Sequence, residues 1–334
     1  MHKQRFFYAS AQALSRSPQN ATAPGNRFAR IRKTVPASLR PSTWLQEILA
    51  TMVAASGVGY LATAYTVSRW LTRKSPAALP SPAAGGELSW DSIECLTSDG
   101  LRLHGWVIEP SCPRATIALF HGMRGHRAKT SARIAFLTAA GYRCVAFDHR
   151  AHGQSEGRRT SFGYYEGLDA LAVLEYVRER WPDHPRAALG ISMGAAALCF
   201  AARETCQLAA VILESLYNNV GNAFASRIGS DFPHWFQRFA RGIIWITELR
   251  LGVGLHEVAP AAYIDKLAPA PVLFVTGSED SFAPPAAVQN MYQRCSEPRA
   301  FQLIPGAGHA NVCEVGGPFY RDLVLDFLKH HLDT

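Results

Sequence analysis

Residues Gly190–Gly194 read Gly-Ile-Ser-Met-Gly and lie between an apolar stretch, 186–190, and an alanine-rich stretch, 194–204. The first stretch predicts a buried strand and the second predicts a helix. The pattern Gly-x-Ser-x-Gly between a strand and a helix is typical of a sharp turn that projects the serine hydroxyl. Its two glycines, Gly190 and Gly194, remove side chains where the strand and the helix crowd. The turn leaves Ser192 at a helix N-terminus, where developing negative charge is favoured.

Short apolar stretches alternate with helix-like stretches on both sides of this turn. The predicted strands are 89–96, 101–109, 115–120, 144–148, 186–190, 209–214, 272–277 and 300–304, and the predicted helices are 130–139, 166–180, 194–204, 286–294 and 319–331. The first two strands are joined by Thr-Ser-Asp-Gly at 97–100, which predicts a hairpin turn. This alternation predicts an α/β fold, with a mostly parallel sheet that is covered by helices on both faces. Ligands bind at the carboxyl ends of the strands in such sheets.

Two loops that follow late strands carry the partners that a serine nucleophile requires. A serine hydroxyl is a weak nucleophile, so it needs a base, which in turn needs an orienting carboxylate. His309 follows the last predicted strand in the flexible sequence Gly-Ala-Gly-His, and Asp280 follows the strand before it. Glu279 is a competing acid, but Asp280 lies one residue deeper in the loop that precedes Pro284-Pro285. The chain order serine, aspartate, histidine is the order expected on a sheet of this kind.

Two backbone N–H groups are predicted to face an oxyanion that forms beside Ser192. One belongs to Met193, the residue that follows the nucleophile. The second is predicted in the loop after the strand 115–120, which begins His121-Gly122-Met123. We expect the Met123 N–H to be this second donor.

Residues from about 88 to 334 resemble the α/β-hydrolase superfamily, in the branch of the serine aminopeptidase S33-like, lysophospholipase-like and Bem46-like hydrolases. The resemblance is carried by His121-Gly122, Asp-His-Arg-Ala-His-Gly-Gln-Ser at 148–155, the turn around Ser192, Asp280 and His309. The second of these motifs is similar to Asp-x-Arg-Gly-His-Gly-x-Ser, with Ala151 in place of the glycine. In the family this motif is structural, which implies that His152 shapes the loop beside the oxyanion site. The resemblance implies a Ser-Asp-His hydrolase that forms an acyl-enzyme, and it does not fix the substrate.

The stretch 216–260 is longer than a simple connection between two strands, and the resemblance implies a helical lid there. It carries several large aromatic residues: Phe224, Phe232, Trp235, Phe236, Phe239 and Trp245. An apolar slot over Ser192 suits an acyl group, so the expected reaction is hydrolysis of carboxylic esters or thioesters, lipid-like substrates included. An amidase or serine aminopeptidase with the same three residues stays open, as does a non-catalytic scaffold.

The formal net charge of +8 belongs to the N-terminus. Residues 1–74 hold 11 Lys and Arg and one acidic residue, whereas the rest of the chain is slightly acidic. A basic stripe for nucleic acid phosphates is therefore not a property of the globular part, and we expect no nucleic acid partner.

The segment 48–68 contains no charged residue and is 21 residues long. As a helix it reaches the roughly 30 Å of a bilayer core, which predicts a single N-terminal membrane anchor. Eight basic residues precede it and three follow, so the hydrolase domain is expected on the non-cytoplasmic side. A helix packed on the protein, a cleaved signal and an organelle transit peptide remain alternatives. Residues 1–47 are predicted to be a disordered basic segment and residues 69–87 a linker.

No metal or organic cofactor is predicted. The seven cysteines form no Cys-x-x-Cys pair, the histidines lack the spacing of metal ligands, and no phosphate-binding glycine loop occurs. The expected partners are therefore an acyl substrate and, through the anchor, a membrane. The sequence does not predict an oligomeric state.

Overall fold

The computed structural model describes residues 43–77, 89–202, 207–224 and 234–332. Most of the segment predicted to be disordered, residues 1–42, lies outside the described residues, and so do residues 78–87 of the predicted linker. Residues 43–47 of the segment predicted to be disordered are helical, and so are residues 69–72 of the predicted linker, because one helix spans Thr43–Thr72. Further along that linker, Ser75–Pro76 forms a two-residue strand that pairs in parallel with His152–Gly153.

Eight strands of the described chain form one sheet: β1 (Ser89–Leu96), β2 (Arg102–Glu109), β3 (Thr116–Phe120), β4 (Arg143–Phe147), β5 (Arg186–Ile191), β6 (Ala210–Glu214), β7 (Val272–Gly277) and β8 (Arg299–Ile304). Their order across the sheet is β8-β7-β6-β5-β3-β4-β2-β1. Strand β2 is antiparallel to both β1 and β4, and every other neighbouring pair is parallel. The predicted fold class, a mostly parallel sheet in an α/β protein, is confirmed.

The helices are α1 (Thr43–Thr72), α2 (Ser131–Ala139), α3 (Glu166–Arg180), α4 (Met193–Ala201), α5 (His234–Leu251), α6 (Pro285–Arg294) and α7 (Val312–Leu332). Helix α7 begins at Val312, before the predicted start at 319, and consists of two helical segments. The break between them is at Gly317, where φ is +50°. The predicted helix corresponds to the segment after this break.

Both faces of the central strands of the sheet are buried. Strand β3 shows this best, since Ala118 and Phe120 join one hydrophobic cluster, whereas Ile117 and Leu119 join the cluster on the opposite face. Successive side chains of a strand point to opposite faces, so an apolar run without alternation indicates a strand covered by helices on both sides.

Between β6 and β7, where the sequence predicts a lid, the structure has helix α5. Phe224 lies before α5 and packs edge-on against Phe162 and Phe282, with ring centroids 5.3 and 5.8 Å apart. Phe232 lies outside the described residues, and Trp245 on α5 is exposed.

Helix α1 contains the segment 48–68. The chain divides into two units, Met1–Ala55 and Ser56–Thr334, so the second part of α1 shares a unit with the sheet. In that unit Ala64 is buried in a small cluster with Ile243 and Ile246 of α5. The Tyr60 hydroxyl donates a hydrogen bond of 2.9 Å to the backbone oxygen of Phe239.

Polar groups hold the end of the same helix. One nitrogen of the Arg250 guanidinium donates to the hydroxyls of Ser68 and Thr72, at 2.8 and 3.0 Å. Ser68 and Thr72 continue the four-residue spacing of Tyr60 and Ala64, which places all four residues on one side of α1.

No helix among the described residues is long and apolar enough to cross a membrane. The prediction of a membrane-spanning helix over 48–68 is therefore not supported. The physical reason is composition, because Ala, Thr, Ser and Gly dilute the Leu, Ile and Val of this segment. The contacts of residues 56–72 with α5 match the alternative of a helix packed on the protein.

Candidate active site

The turn from β5 to α4 places Ser192 above the end of the sheet. Ser192 has φ of +50° and ψ of −106°, a left-handed conformation that a residue with a side chain adopts at a cost of about 1 kcal/mol or more. Its N–H donates to the backbone oxygen of Glu214 at 2.8 Å. A Cβ on Gly194 would lie 2.3 Å from the Phe120 oxygen, and one on Gly190 would lie 2.6 Å from the Ala195 nitrogen. Both glycines of the motif are therefore required by backbone contacts.

Ser192, His309 and Asp280 form one hydrogen-bonded chain. The Ser192 Oγ lies 2.7 Å from His309 Nε2, and His309 Nδ1 lies 2.8 and 3.0 Å from the two carboxylate oxygens of Asp280. The Asp280 side chain is fully buried, while that of His309 keeps one quarter of its surface exposed. A carboxylate at Nδ1 favours the tautomer with its proton there, which leaves Nε2 free to accept the serine proton.

Backbone contacts fix the acid and the base. One oxygen of Asp280 accepts the N–H groups of Phe282 and Ala283, at 3.0 and 2.7 Å. The acid loop is also joined to the histidine loop, since the Glu279 N–H donates to the Ala307 oxygen at 2.9 Å. The Glu279 side chain is exposed, so the structure places Asp280 rather than Glu279 against His309.

The two predicted oxyanion donors reach the same cavity as Ser192. Met123 and Met193 line it together with Ser192 and His309. Gly122 brings the first of these loops close, because a Cβ on it would lie 3.7 Å from the Ser192 Cβ. Within the described residues neither the Met123 nor the Met193 N–H donates a hydrogen bond, so both remain available to a bound oxygen.

Two buried histidines hold the loop that contains Met123. The N–H of Arg124 donates to His152 Nε2 at 3.1 Å, and the N–H of His149 donates to His121 Nε2 at 3.0 Å. Burial lowers the pKa of His121 well below its usual range, with the neighbouring histidines adding to the effect, and burial also lowers the pKa of His152. Both rings are therefore neutral acceptors near pH 7, and His152 has the loop-shaping position that the resemblance implies.

The motif 148–155 also holds the residues that follow Met123 in this loop. Asp148 accepts the backbone N–H groups of Arg127 and Gln154, at 2.6 and 2.9 Å, and forms a buried ion pair with the Arg127 guanidinium. Gly153 is required because a Cβ there would lie 2.0 Å from the Asp148 carboxylate. Ala151, which stands where the family has glycine, keeps the left-handed conformation with φ of +59°.

A second buried ion pair beside the cavity was not predicted from the sequence. Arg133 of α2 lines the cavity, and its Nε lies 2.9 Å from Glu214 at the end of β6. The Tyr320 hydroxyl also donates to Glu214. The signal in the sequence is a glutamate that ends an apolar strand, but nothing local indicates an arginine 81 positions away as its partner.

The cavity in front of Ser192 has a volume of about 490 Å³. Its apolar wall is formed by Met123, Phe162, Ile191, Tyr217, Val220 and Phe282. Charged residues also line it, namely Arg124, Lys129, Arg133 and Glu314. Among the described residues no group of His, Cys, Asp or Glu is placed to hold a metal ion.

Comparison with known proteins agrees with this architecture. The family model "Serine aminopeptidase, S33" matches residues 111–247. The solved structure of the esterase Pf2001 from Pyrococcus furiosus superposes with a TM-score of 0.64 at 23% identity, covering 78% of this chain and 98% of the esterase. This chain has the α/β-hydrolase fold.

Relatives of similar length support the same assignment. The uncharacterized protein YqkD of Bacillus subtilis is 27% identical over 242 residues, 70% of this chain and 78% of YqkD. The protein bem46 of Schizosaccharomyces pombe is 26% identical over 260 residues, 73% of this chain and 78% of bem46. The resemblance to the α/β-hydrolase superfamily is confirmed, and these likenesses support a hydrolase.

Proposed function

We propose that this protein hydrolyses carboxylic esters or thioesters through an acyl-enzyme on Ser192. The observation that carries the proposal is the hydrogen-bonded chain Ser192–His309–Asp280 at the mouth of an apolar cavity. His309 lies within hydrogen-bond distance of both the nucleophile, at 2.7 Å, and the orienting carboxylate, at 2.8 Å, as acyl transfer by a serine requires.

Acylation begins when His309 Nε2 takes the proton of the Ser192 hydroxyl while Oγ attacks the substrate carbonyl carbon. The carbonyl oxygen becomes an oxyanion that accepts the N–H groups of Met123 and Met193. The tetrahedral intermediate then breaks its bond to the leaving oxygen or sulfur. The proton on His309 passes to the leaving alcohol or thiol, and the acyl group stays on Ser192.

Deacylation repeats these steps with water. His309 removes a proton from the water as its oxygen attacks the acyl carbon, and the same two N–H groups hold the oxyanion. The bond to Ser192 Oγ breaks and the proton on His309 returns to that oxygen. The products of the whole cycle are the alcohol or thiol and a carboxylic acid.

The cavity supports a hydrophobic acyl group as the part of the substrate next to Ser192. A volume of about 490 Å³ lies within the range of roughly 300–1,000 Å³ that is usual for small-molecule sites. Burial of an acyl chain against the aromatic and aliphatic wall contributes about 0.8 kcal/mol per methylene. Selectivity among esters is therefore expected to follow acyl length until the cavity is filled.

The matched family model, whose description is a serine aminopeptidase, supports a second candidate, cleavage of amides at an amino terminus. An aminopeptidase must hold the α-ammonium group of its substrate, which favours a carboxylate in the cavity. The cavity offers Glu314 for this, but Arg124 and Lys129 oppose a cation there, and Arg133 is already paired with Glu214. The local charge therefore favours the ester over the α-amino amide.

A fluorophosphonate probe tests the nucleophile. We expect stoichiometric labelling of the wild-type protein and none of Ser192→Ala, whereas Ser131→Ala, at an exposed serine of α2, labels like the wild type. Absence of labelling in the folded wild-type protein would contradict the proposal and favour the non-catalytic scaffold.

Matched substrates then separate the two chemistries. A series of acyl esters and the corresponding amides, from two to ten carbons, is compared by kcat/KM. We expect ester hydrolysis to exceed amide hydrolysis at every chain length. Faster turnover of aminoacyl amides than of simple esters would favour the aminopeptidase.

A further inference from the structure

A second recess adjoins the cavity of Ser192. It has a volume of about 320 Å³ and is lined by Arg73, Lys74, Ser75, Pro76 and Arg124. Arg124 lines both the recess and the reactive cavity, so the two spaces share one residue. Since Arg124 directly follows Met123, the recess lies next to the predicted oxyanion site.

Among the residues that the structure describes, no acidic group forms an ion pair with the three cations of this recess. Within the described residues neither Arg73, Lys74 nor Arg124 has a carboxylate oxygen within ion-pair distance. Other arginines near the site differ in this respect, since Arg127 and Arg133 each form a buried ion pair. The recess therefore combines like charges that nothing in the described chain neutralises.

These charges also act on one another. Partial burial, and then the charge of Arg73, lower the pKa of Arg124. Arg73 is joined to a further cation, Arg159, by a backbone bridge. Gathering like charges raises the free energy of the folded protein unless an anion is bound among them.

Arg124 is held ready for such an anion. Its guanidinium carbon lies 3.7 Å from the centre of the Trp70 ring, and its Nη2 donates to the Trp70 backbone oxygen at 3.2 Å. Stacking and one hydrogen bond fix the plane of the group. Within the described residues its Nε and Nη1 have no acceptor, so they can bind a second group.

We propose that this recess binds an oxyanion of the substrate, a carboxylate or a phosphate, while the ester carbonyl lies at Ser192. The inference rests on the proposed function and names a substrate class within it, namely acyl esters that carry a negative charge. Guanidinium and ammonium groups form short, charge-assisted hydrogen bonds with such oxyanions. A substrate group is favoured over a membrane surface because the recess shares the lining residue Arg124 with the reactive cavity.

Three aryl esters with the same butanoyl group test the proposal: 4-butanoyloxybenzoate, its neutral methyl ester and 4-butanoyloxyphenyl phosphate. The variant R73Q/K74Q removes two cations of the recess without touching the catalytic residues. The control R321Q/K329Q removes two exposed cations of α7. We expect the wild type and the control to prefer the anionic esters by about 10-fold in kcat/KM, the effect of about one charge-assisted hydrogen bond. In R73Q/K74Q this preference disappears, while turnover of the neutral ester stays within about twofold.

The outcomes are distinct. Equal preference in R73Q/K74Q and in the control overturns the oxyanion recess and leaves the hydrolase intact. If the wild type hydrolyses none of the three esters, the proposed function fails, and the recess is judged by calorimetric titration of inorganic phosphate. Binding that R73Q/K74Q weakens supports an oxyanion site, and binding equal in both proteins, or none, overturns it. Loss of binding to phosphatidylglycerol vesicles in R73Q/K74Q, with unchanged ester preference, also overturns the proposal and assigns these cations to a lipid surface.

Discussion

The carboxyl ends of the strands and the contact between α1 and α5 are built in different ways. At the strand ends, backbone atoms approach so closely that Gly190 and Gly194 cannot carry a Cβ, and buried polar groups bond one loop to the next. Between α1 and α5, the contact consists of a small apolar cluster around Ala64 and a few polar side chains. Gly59 on α1 has nothing within 4 Å of its Cβ position.

The two regions are therefore expected to differ in how well they tolerate a substitution. A region held by backbone contacts has one arrangement, because backbone atoms cannot move aside without disturbing the sheet. A helix held by side chains on one face can shift or separate while the sheet stays folded. Matched pairs of substitutions, one in each kind of environment, test this view.

The largest effect is expected at the acid of the site. Asp280→Asn keeps the shape of the side chain but favours the wrong tautomer of His309, so we expect kcat to fall by about 10³–10⁴-fold. Glu279→Gln, at the exposed neighbour, should change kcat less than about twofold. Steady-state kinetics on one activated ester measures both. Equal losses in the two variants would contradict the assignment of Asp280.

The same substitution at two glycines compares the two regions directly. Gly194→Ala places a Cβ 2.3 Å from the Phe120 oxygen, and we expect the free energy of unfolding to fall by about 3 kcal/mol. Gly59→Ala in α1 meets open space and improves helix propensity, so the stability should stay equal or rise by up to about 1 kcal/mol. Urea denaturation followed by circular dichroism measures both, and similar losses would remove the distinction between the regions.

The contact between α1 and α5 is tested at its buried alanine. Ala64→Leu overfills the space beside Ile243 and Ile246, which costs about 1–3 kcal/mol. Ala62→Leu adds the same atoms at an exposed position of α1 and should have little effect. We expect amide exchange of residues 56–72 to rise at least tenfold in Ala64→Leu, with unchanged exchange in β3 and β5. Faster exchange throughout the sheet would show that α1 is part of the core.

The smallest effect concerns pH and the loop that holds Met123. Since burial lowers the pKa of His121 and His152 below the ordinary 6.5, the unfolded chain binds protons first as the pH falls. The two neutral histidines therefore make their full contribution to the free energy of unfolding above about pH 6.5, and this contribution is lost at lower pH. We expect a decrease of order 1 kcal/mol in the free energy of unfolding between about pH 7.5 and 5.5.

A neutral replacement isolates the effect of these buried rings. His152→Gln keeps an acceptor for the Arg124 N–H and cannot be protonated, so its stability should depend less on pH than that of the wild type. His330→Gln, at an exposed histidine of α7, should retain the full dependence. Identical pH profiles for His152→Gln and the wild type would contradict the role of His152.

The sequence predicted the sheet, and the structure brings the three predicted triad residues together, for a local reason. Ser192, Asp280 and His309 each follow a strand directly, and the ends of parallel strands meet at one edge. The preference for Asp280 over Glu279 came from its depth in a loop, and the two loops meet in the structure through the N–H of Glu279 and the oxygen of Ala307. What the sequence missed lies far apart in the chain, such as Arg133 with Glu214.

The N-terminal segment shows the opposite case. An uncharged stretch of 21 residues predicted a membrane helix, and the helical character is present in α1. Composition alone gives no information on which residues lie against a neighbour. The residues at four-residue spacing from Tyr60 to Thr72 face α5, and their partners on α5 are about 180 positions away in the chain.

By itself, then, the sequence determined the order of strands and helices, the turn at Ser192 and the residues that follow the strand ends, because each depends on neighbours in the chain. The tertiary structure decided which charges are paired and which are left unpaired beside the cavity. It also decided the place of residues 56–72, because charge pairing and helix packing depend on distances between atoms that the sequence separates widely. The cations Arg73, Lys74 and Arg124, which form no ion pair within the described residues, line one recess for the same reason.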